Sequence, residues 1–263
     1  MSKMKKILFF TVIIFFSTQN FAQTTSGWQL EKMPVDLETD YALSALPPHL
    51  RSDATVYLLD PAKGYYVGHQ GSNGYITFIS RTEWEWPEFR QDVATPISYD
   101  AEGARTIFPI YMDVAAMRAS GKYQATQIKD SIISRINTGV YKAPAKPGMS
   151  YMLAPVMRVY PGNPPAVKEP ISVSMPHYMF YAPYLADENT RYKSGTDGVF
   201  LANPDNAILG DGKGPYGYVI VPSTDAEKAI IVADGQDLVK RLIAYKAWFE
   251  PGSGTHHHGA GTN

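Results

Sequence analysis

Between Thr55 and Ser80 the chain alternates β-forming runs with turn residues so closely that few architectures accommodate it. Thr55–Leu59, Tyr65–Gln70 and Tyr75–Ser80 are rich in β-branched and aromatic side chains, which suit a pleated, half-buried surface. Asp60-Pro61-Ala62-Lys63-Gly64 and Gly71-Ser72-Asn73-Gly74 separate them with turn formers. Asn73-Gly74 suits the positive φ of a tight turn. The pattern predicts a three-stranded antiparallel meander.

Helical signals flank the meander on both sides. A short helix is expected over Glu38–Leu46, stopped by Pro47-Pro48. Asp113 is the candidate N-cap of another, running through Ala119 to Gly121. Ile128, Ile132, Ile133 and Ile136 form the apolar stripe of a longer helix over Ala125–Thr138. Thr224-x-x-Glu227 matches a capping box and opens a helix that Asp234-Gly235 bends or breaks. Gln236–Phe249 then carries Leu238, Leu242, Tyr245 and Phe249 on one face. Further strands are expected in Ser150–Val159 and Tyr216–Val221. Strands, then helices, then strands, without regular alternation, argue for an α+β fold. The expectation is a mostly antiparallel sheet with the two longer helices packed on one face. No GxGxxG follows a strand and no GxxxxGK[ST] occurs, so a phosphate-cradling loop is not indicated.

The ends of the chain speak to compartment. Lys3, Lys5 and Lys6 precede the apolar run Ile7–Phe16, then polar Ser17–Asn20, then Phe21-Ala22. That order is a secretory signal peptide over residues 1–22, too short to span a bilayer, which takes about 20 apolar residues. Export to the periplasm or beyond is therefore expected, with no stable membrane insertion of the mature protein. The chain has 0 cysteines, so disulfides, Cys-ligated zinc and c-type haem are excluded and a core must hold the fold. Residues 23–40 read as a tether, 41–250 as one α+β domain with long loops at 160–170 and 187–214, and 251–263 as a disordered tail. Net charge is −1 without a basic face, which argues against nucleic acid.

The densest apolar run after the leader is Ile171–Leu185. As a strand it puts Ile171, Val173 and Met175 on one face. If the parity survives Pro176, His177, Met179 and Tyr181 face inward. His69 shares parity with Tyr65 and Val67 and is expected inward too. Outside the tail only His49, His69 and His177 exist, in no HxH or HExxH spacing, so a catalytic or metal site would have to be assembled from distant segments. Met149, Met152, Met157, Met175 and Met179 suit Cu(I) but also fill irregular cores, and the core reading is preferred. Trp84 and Trp86 would stack on sugars if exposed. Glu83 and Glu85 have a glycosidase-compatible but nonspecific spacing. Asp197, Asp205, Asn206 and Asp211 lack EF-hand spacing. No GxSxG occurs.

These residues predict, first, a noncatalytic protein binding a small molecule, such as a carbohydrate or aromatic metabolite, in an aromatic-lined cleft. Its candidate contacts are His177, Tyr178, Tyr181, Arg158 and His69. The alternatives are a metal-assisted or general-base hydrolase using His69 and His177, and a cell-envelope interaction protein docking through edge strands. No metal site or cofactor is designated.

Overall fold

The computed structural model describes residues 30–81, 84, 88–160, 169–184, 200–201 and 214–252. The expected signal peptide, Glu83, Glu85, Trp86, the Asp197–Asp211 cluster and the histidines of the tail lie outside them.

The first strands behave as their sequence predicts, up to a point. β1 (Thr55–Asp60) and β2 (Gly64–His69) form an antiparallel hairpin. Asp60 closes its turn, accepting the Ala62 N–H at its carboxylate and the Lys63 N–H at its carbonyl. β3 (Ile76–Ser80) then departs from the expected meander. It pairs with β1, parallel, in the register Thr55 to Ile76. The Gly71–Gly74 segment is not a hairpin turn but a strap over the entry to β1. The Asp53 carbonyl accepts the Ser72 and Asn73 N–H groups at 2.7 and 3.1 Å. Gly74 does take positive φ, at 81°. A Cβ on Gly71 would lie 2.1 Å from the Asp53 oxygen, so only glycine fits. Burial explains the order. Every residue of β3 is buried, whereas β2 exposes Tyr66 and Val67 and tolerates the edge.

β4 (Thr95–Tyr99) pairs antiparallel with β3, completing the order β2-β1-β3-β4. β5 (Met149–Met152) runs alongside β4 and is tied to it by hydroxyls: Ser98 Oγ donates to the Tyr151 carbonyl, and Ser150 Oγ donates to the Ser98 carbonyl at 2.5 Å. A second sheet continues from there, in the order β5-β8-β10-β9, with β8 (His177–Tyr181), β9 (Phe200–Leu201) and β10 (Tyr218–Pro222) all antiparallel. β6 (Met157–Val159) and β7 (Ile171–Val173) pair separately, and Arg158 of β6 bridges Ala94, the residue just before β4. Pro155 divides β5 from β6, and Pro176 divides β7 from β8. Proline has no ladder donor, so each strand breaks there. The expected Ile171–Leu185 strand is thus two pieces. His177 and Met179 are buried, but Met175, on the break, is 43% exposed.

Helices cover both faces of the first sheet. α1 (Val35–Leu43) lays Leu37, Tyr41 and Ala42 on Val56, Leu58 and Ile79. The Tyr41 hydroxyl reaches the Ala94 and Val156 carbonyls, both at 3.0 Å. The predicted tether therefore ends early, since Met33 and Leu37 already belong to this core. Pro48 does not merely stop α1; it opens α2 (Pro48–Arg51), its missing N–H being one the first turn does not need. On the other face, after the short α3 (Ala101–Thr106), α4 (Phe108–Ala119) brings Ile110, Val114 and Ala115 against Leu59, Tyr65 and Phe78. Asp113 sits inside α4 rather than capping it. α5 (Ala125–Asn137) packs on α4 with Ile128 and Ile132. α6 (Asp225–Asp234) is capped by Thr224 Oγ1, which accepts the Glu227 N–H; α7 (Gln236–Tyr245) follows, then a 3₁₀ turn at Ala247–Phe249. Leu242 of α7 joins the α1 side. The longer helices therefore do not share one face. Apolar residues at both parities of β1 and β3 leave two faces to cover. The fold is α+β with antiparallel pairing dominant.

Candidate functional site

Of the side chains expected to line an aromatic cleft, His177, Tyr178, Tyr181 and Arg158 have partners within the protein, and His69 lies on a distant strand. His177 is 4% exposed, and its Nδ1 lies 2.7 Å from the Met175 carbonyl. A carbonyl only accepts, so Nδ1 carries the proton. Burial holds the imidazole below its ordinary pKa, despite that contact. Tyr181 is half-buried, its hydroxyl 3.0 Å from Asp100 Oδ1 and 2.9 Å from the Met149 carbonyl. Burial, with the Asp100 carboxylate, pushes its phenol far up. Two glycines make room for this ring: a Cβ on Gly103 would come 2.1 Å from its hydroxyl, and one on Gly148 2.6 Å from the ring. Tyr178 has the opposite strand parity. Its hydroxyl donates to Glu227 Oε1 of α6, its ring stacks edge-on against Tyr151 at 5.8 Å, and burial lifts its pKa to about 12.

Arg158 is also held inside rather than offered at a rim. Its Nη2 lies 3.1 Å from Asp92 Oδ2, and its guanidinium sits 5.9 Å from the Trp248 ring centroid. Burial alone would raise the Asp92 pKa, but hydrogen bonds from Arg90 and Arg158 outweigh it and hold the carboxyl below its usual range. His69 is exposed, not inward: β2 is the edge strand and is exposed at both parities beyond Tyr65, Val67 included, and a bulge separates the Val56–His69 and Tyr57–Val67 pairs. Strands β1, β3, β4 and β5 lie between the strands that carry His69 and His177, so the two imidazoles do not form one site. Among the described residues no group of three His, Asp or Glu side chains is placed to hold a metal ion. Met152, Met157, Met179 and Trp84 are buried in the core cluster under α4.

A cavity of about 570 Å³ opens elsewhere, between the α1–α2 corner and the α6–α7 segment. Leu43, Leu46, Pro47 and Pro48 form one wall; Ile230, Ile231 and Leu238 form the other; Leu153 and Pro155 lie between. Its construction follows from the break between β5 and β6. Leu153 leaves the β ladder and donates its N–H to the Ala45 carbonyl, carrying Pro155 across to α6. A Cβ on Gly235 would stand 2.5 Å from the Pro155 ring, so glycine lets the α6–α7 corner close onto that proline. Ile230 remains 61% exposed, and α6 buries no residue fully.

Charges rim this apolar trough. Arg241 bridges Asp40 at 2.6 Å and Asp36 at 2.9 Å. Glu227 is engaged by the Tyr178 phenol, and Ser44 Oγ donates to the Tyr41 carbonyl at 2.6 Å. Arg51 donates Nε–H to the Leu46 carbonyl at 2.8 Å; burial lowers its pKa, and the Asp234 charge offsets part of that. Such a lining offers apolar area together with charge, the two kinds of contact a small-molecule site uses. A second recess of about 520 Å³ is lined by Asn73, Tyr75, Asp100, Glu102, Arg105 and Lys146, and its carboxylates are already occupied. Asp100 caps α3 through Gly103 N–H and accepts the Met149 N–H, while Glu102 accepts Arg105 and the Ala145 N–H.

Sequence reasoning missed the groove. One signal was present: Ile230-Ile231-Val232 cannot all lie on the same face of a helix, so at least one must turn outward. No family model, curated protein or solved structure matches the chain.

Proposed function

We propose that the chain is an exported, noncatalytic binding protein that takes a small molecule with an apolar body into the groove between α1–α2 and α6–α7. The observation that carries this reading is the groove itself, an apolar trough of about 570 Å³. That size lies within the usual 300–1,000 Å³ or so of small-molecule sites. Support for export comes from the lysine-led apolar segment ending near Ala22. Aromatic side chains contribute stability here instead of contacts, since Tyr178, Tyr181 and their neighbours are committed to internal partners.

A thermal-shift screen of carbohydrates, organic acids and apolar or aromatic metabolites tests the proposal. A ligand at a hundredfold excess over its Kd adds about 2.7 kcal/mol, several degrees in Tm for a protein of this size. Apolar compounds are expected to give that rise, and Ile230→Asp, on an exposed position, to abolish it while leaving the unliganded Tm unchanged. A flat response across the panel, or a rise that Ile230→Asp leaves intact, overturns the assignment.

A further inference from the structure

Two of the charged groups lining the groove have no direct ionic partner among the described residues, and they are of opposite sign. Arg51 makes one hydrogen bond, from Nε to the Leu46 carbonyl, and among the described residues nothing engages its terminal nitrogens. Asp234 lines the same cavity, and among the described residues its side chain makes neither an ion pair nor a hydrogen bond. The two do not touch, yet they are near enough for the Asp234 charge to act on the Arg51 guanidinium. Asp234 is moreover the last residue of α6, with no basic side chain in that turn. The N-terminus of α7 follows directly, with Gly235 as its N-cap, so the two helix dipoles oppose each other there and the Asp234 carboxylate supplies the local negative charge. The remaining charges of the lining are satisfied: Arg241 by Asp36 and Asp40, Glu227 by the Tyr178 phenol.

We propose that the groove recognises a zwitterion with apolar side chains, an α-amino acid or short peptide with free termini, its carboxylate on Arg51 and its ammonium on Asp234. This rests on the groove being the binding site. A guanidinium presents paired N–H donors that match a carboxylate. The Asp234 carboxylate, without an ionic partner among the described residues, matches an ammonium. Leu43, Ile230, Ile231 and Leu238 supply the surface for apolar side chains. A ligand bearing only an anion would leave Asp234 facing it, and one bearing only a cation would face Arg51, so the unpaired charges select for both together.

Calorimetric titration with four related probes separates the possibilities: the dipeptide leucyl-phenylalanine, its N-acetyl form, its C-terminal amide, and the doubly blocked N-acetyl amide. The free dipeptide is expected to bind at least tenfold tighter than either singly blocked form. Asp234→Asn should remove its advantage over the N-acetyl form, and Arg51→Gln its advantage over the amide. Asp234 is exposed, so its variant reports even if Arg51→Gln perturbs α2. Equal binding of all four probes overturns the charge assignment and leaves the groove as the site. Binding by none of them overturns the proposed ligand class, and the groove falls with it only if the wider thermal-shift panel is flat as well.

Discussion

Glu38 gives the sharpest test of how this fold is held together. It lies on α1 facing β1, is 1% exposed, and its Oε1 accepts the Leu59 N–H at 2.7 Å. Burial raises its pKa from 4.5 to about 7; the Leu59 N–H, Arg81 and Lys32 pull it back only in part. A carboxyl that prefers to stay protonated in the folded state weakens the fold once the solvent deprotonates it. Below pH 4.5 the folded and unfolded chains both hold the proton and Glu38 costs nothing. Between 4.5 and about 7 the folded chain binds more protons than the unfolded one, so stability falls as pH rises. At about 1.4 kcal/mol per pH unit, the cost above pH 7 is about 3 kcal/mol.

Glu38→Gln removes the titration while its amide oxygen can still accept the Leu59 N–H. Urea unfolding followed by tryptophan fluorescence at pH 5, 6, 7 and 8 makes the comparison. The wild-type curve should lose about 2–3 kcal/mol relative to the variant between pH 5 and 8, the remainder of the cost falling below pH 5, and the variant should be the more stable at pH 8. Other titrating groups are common to both proteins and cancel in the difference. Wild type and variant running parallel across that range would refute the argument, because the buried carboxyl would then contribute no pH dependence.

Two further substitutions probe the packing around the displaced cleft residues. Gly148→Ala should destabilise by about 1–3 kcal/mol in urea melts, since its Cβ meets Asp100 Oδ2 at 2.4 Å and the Tyr181 ring at 2.6 Å, and Tyr181→Leu in the same chain should recover only the part due to the ring; a neutral Gly148→Ala contradicts the close fit. Arg158→Met removes one of two cations from Asp92, should cost about 3 kcal/mol at pH 7, and should cost less as pH falls through the carboxylate range, because a carboxyl held low stabilises only while ionised.

What the sequence disclosed, and what it withheld, divides along chain separation. The Thr224 cap, the isoleucine stripe of α5 and the β1–β2 turn involve partners a few residues apart, and all three are where local pattern puts them. Asn73-Gly74 is more instructive. Its positive φ is a local property and was legible, but the strand it delivers pairs with β1 instead of β2, because Asp53 captures the strap and a fully buried strand needs neighbours on both sides. The candidate site failed for the same reason. Tyr181 and Tyr178 look like a cleft lining until Asp100 and Glu227, 81 and 49 residues away, take up their hydroxyls. Arg158 likewise spends its charge on Asp92, 66 residues off. The groove that does exist is assembled from a helix end at Leu43–Pro48, a proline break at Leu153–Pro155 and a helix corner at Asp234–Gly235. Each of these reads along the chain as a place where an element stops. Stops are where strands and helices leave side chains and ends uncovered, so three of them meeting in space make a concavity that no motif announces.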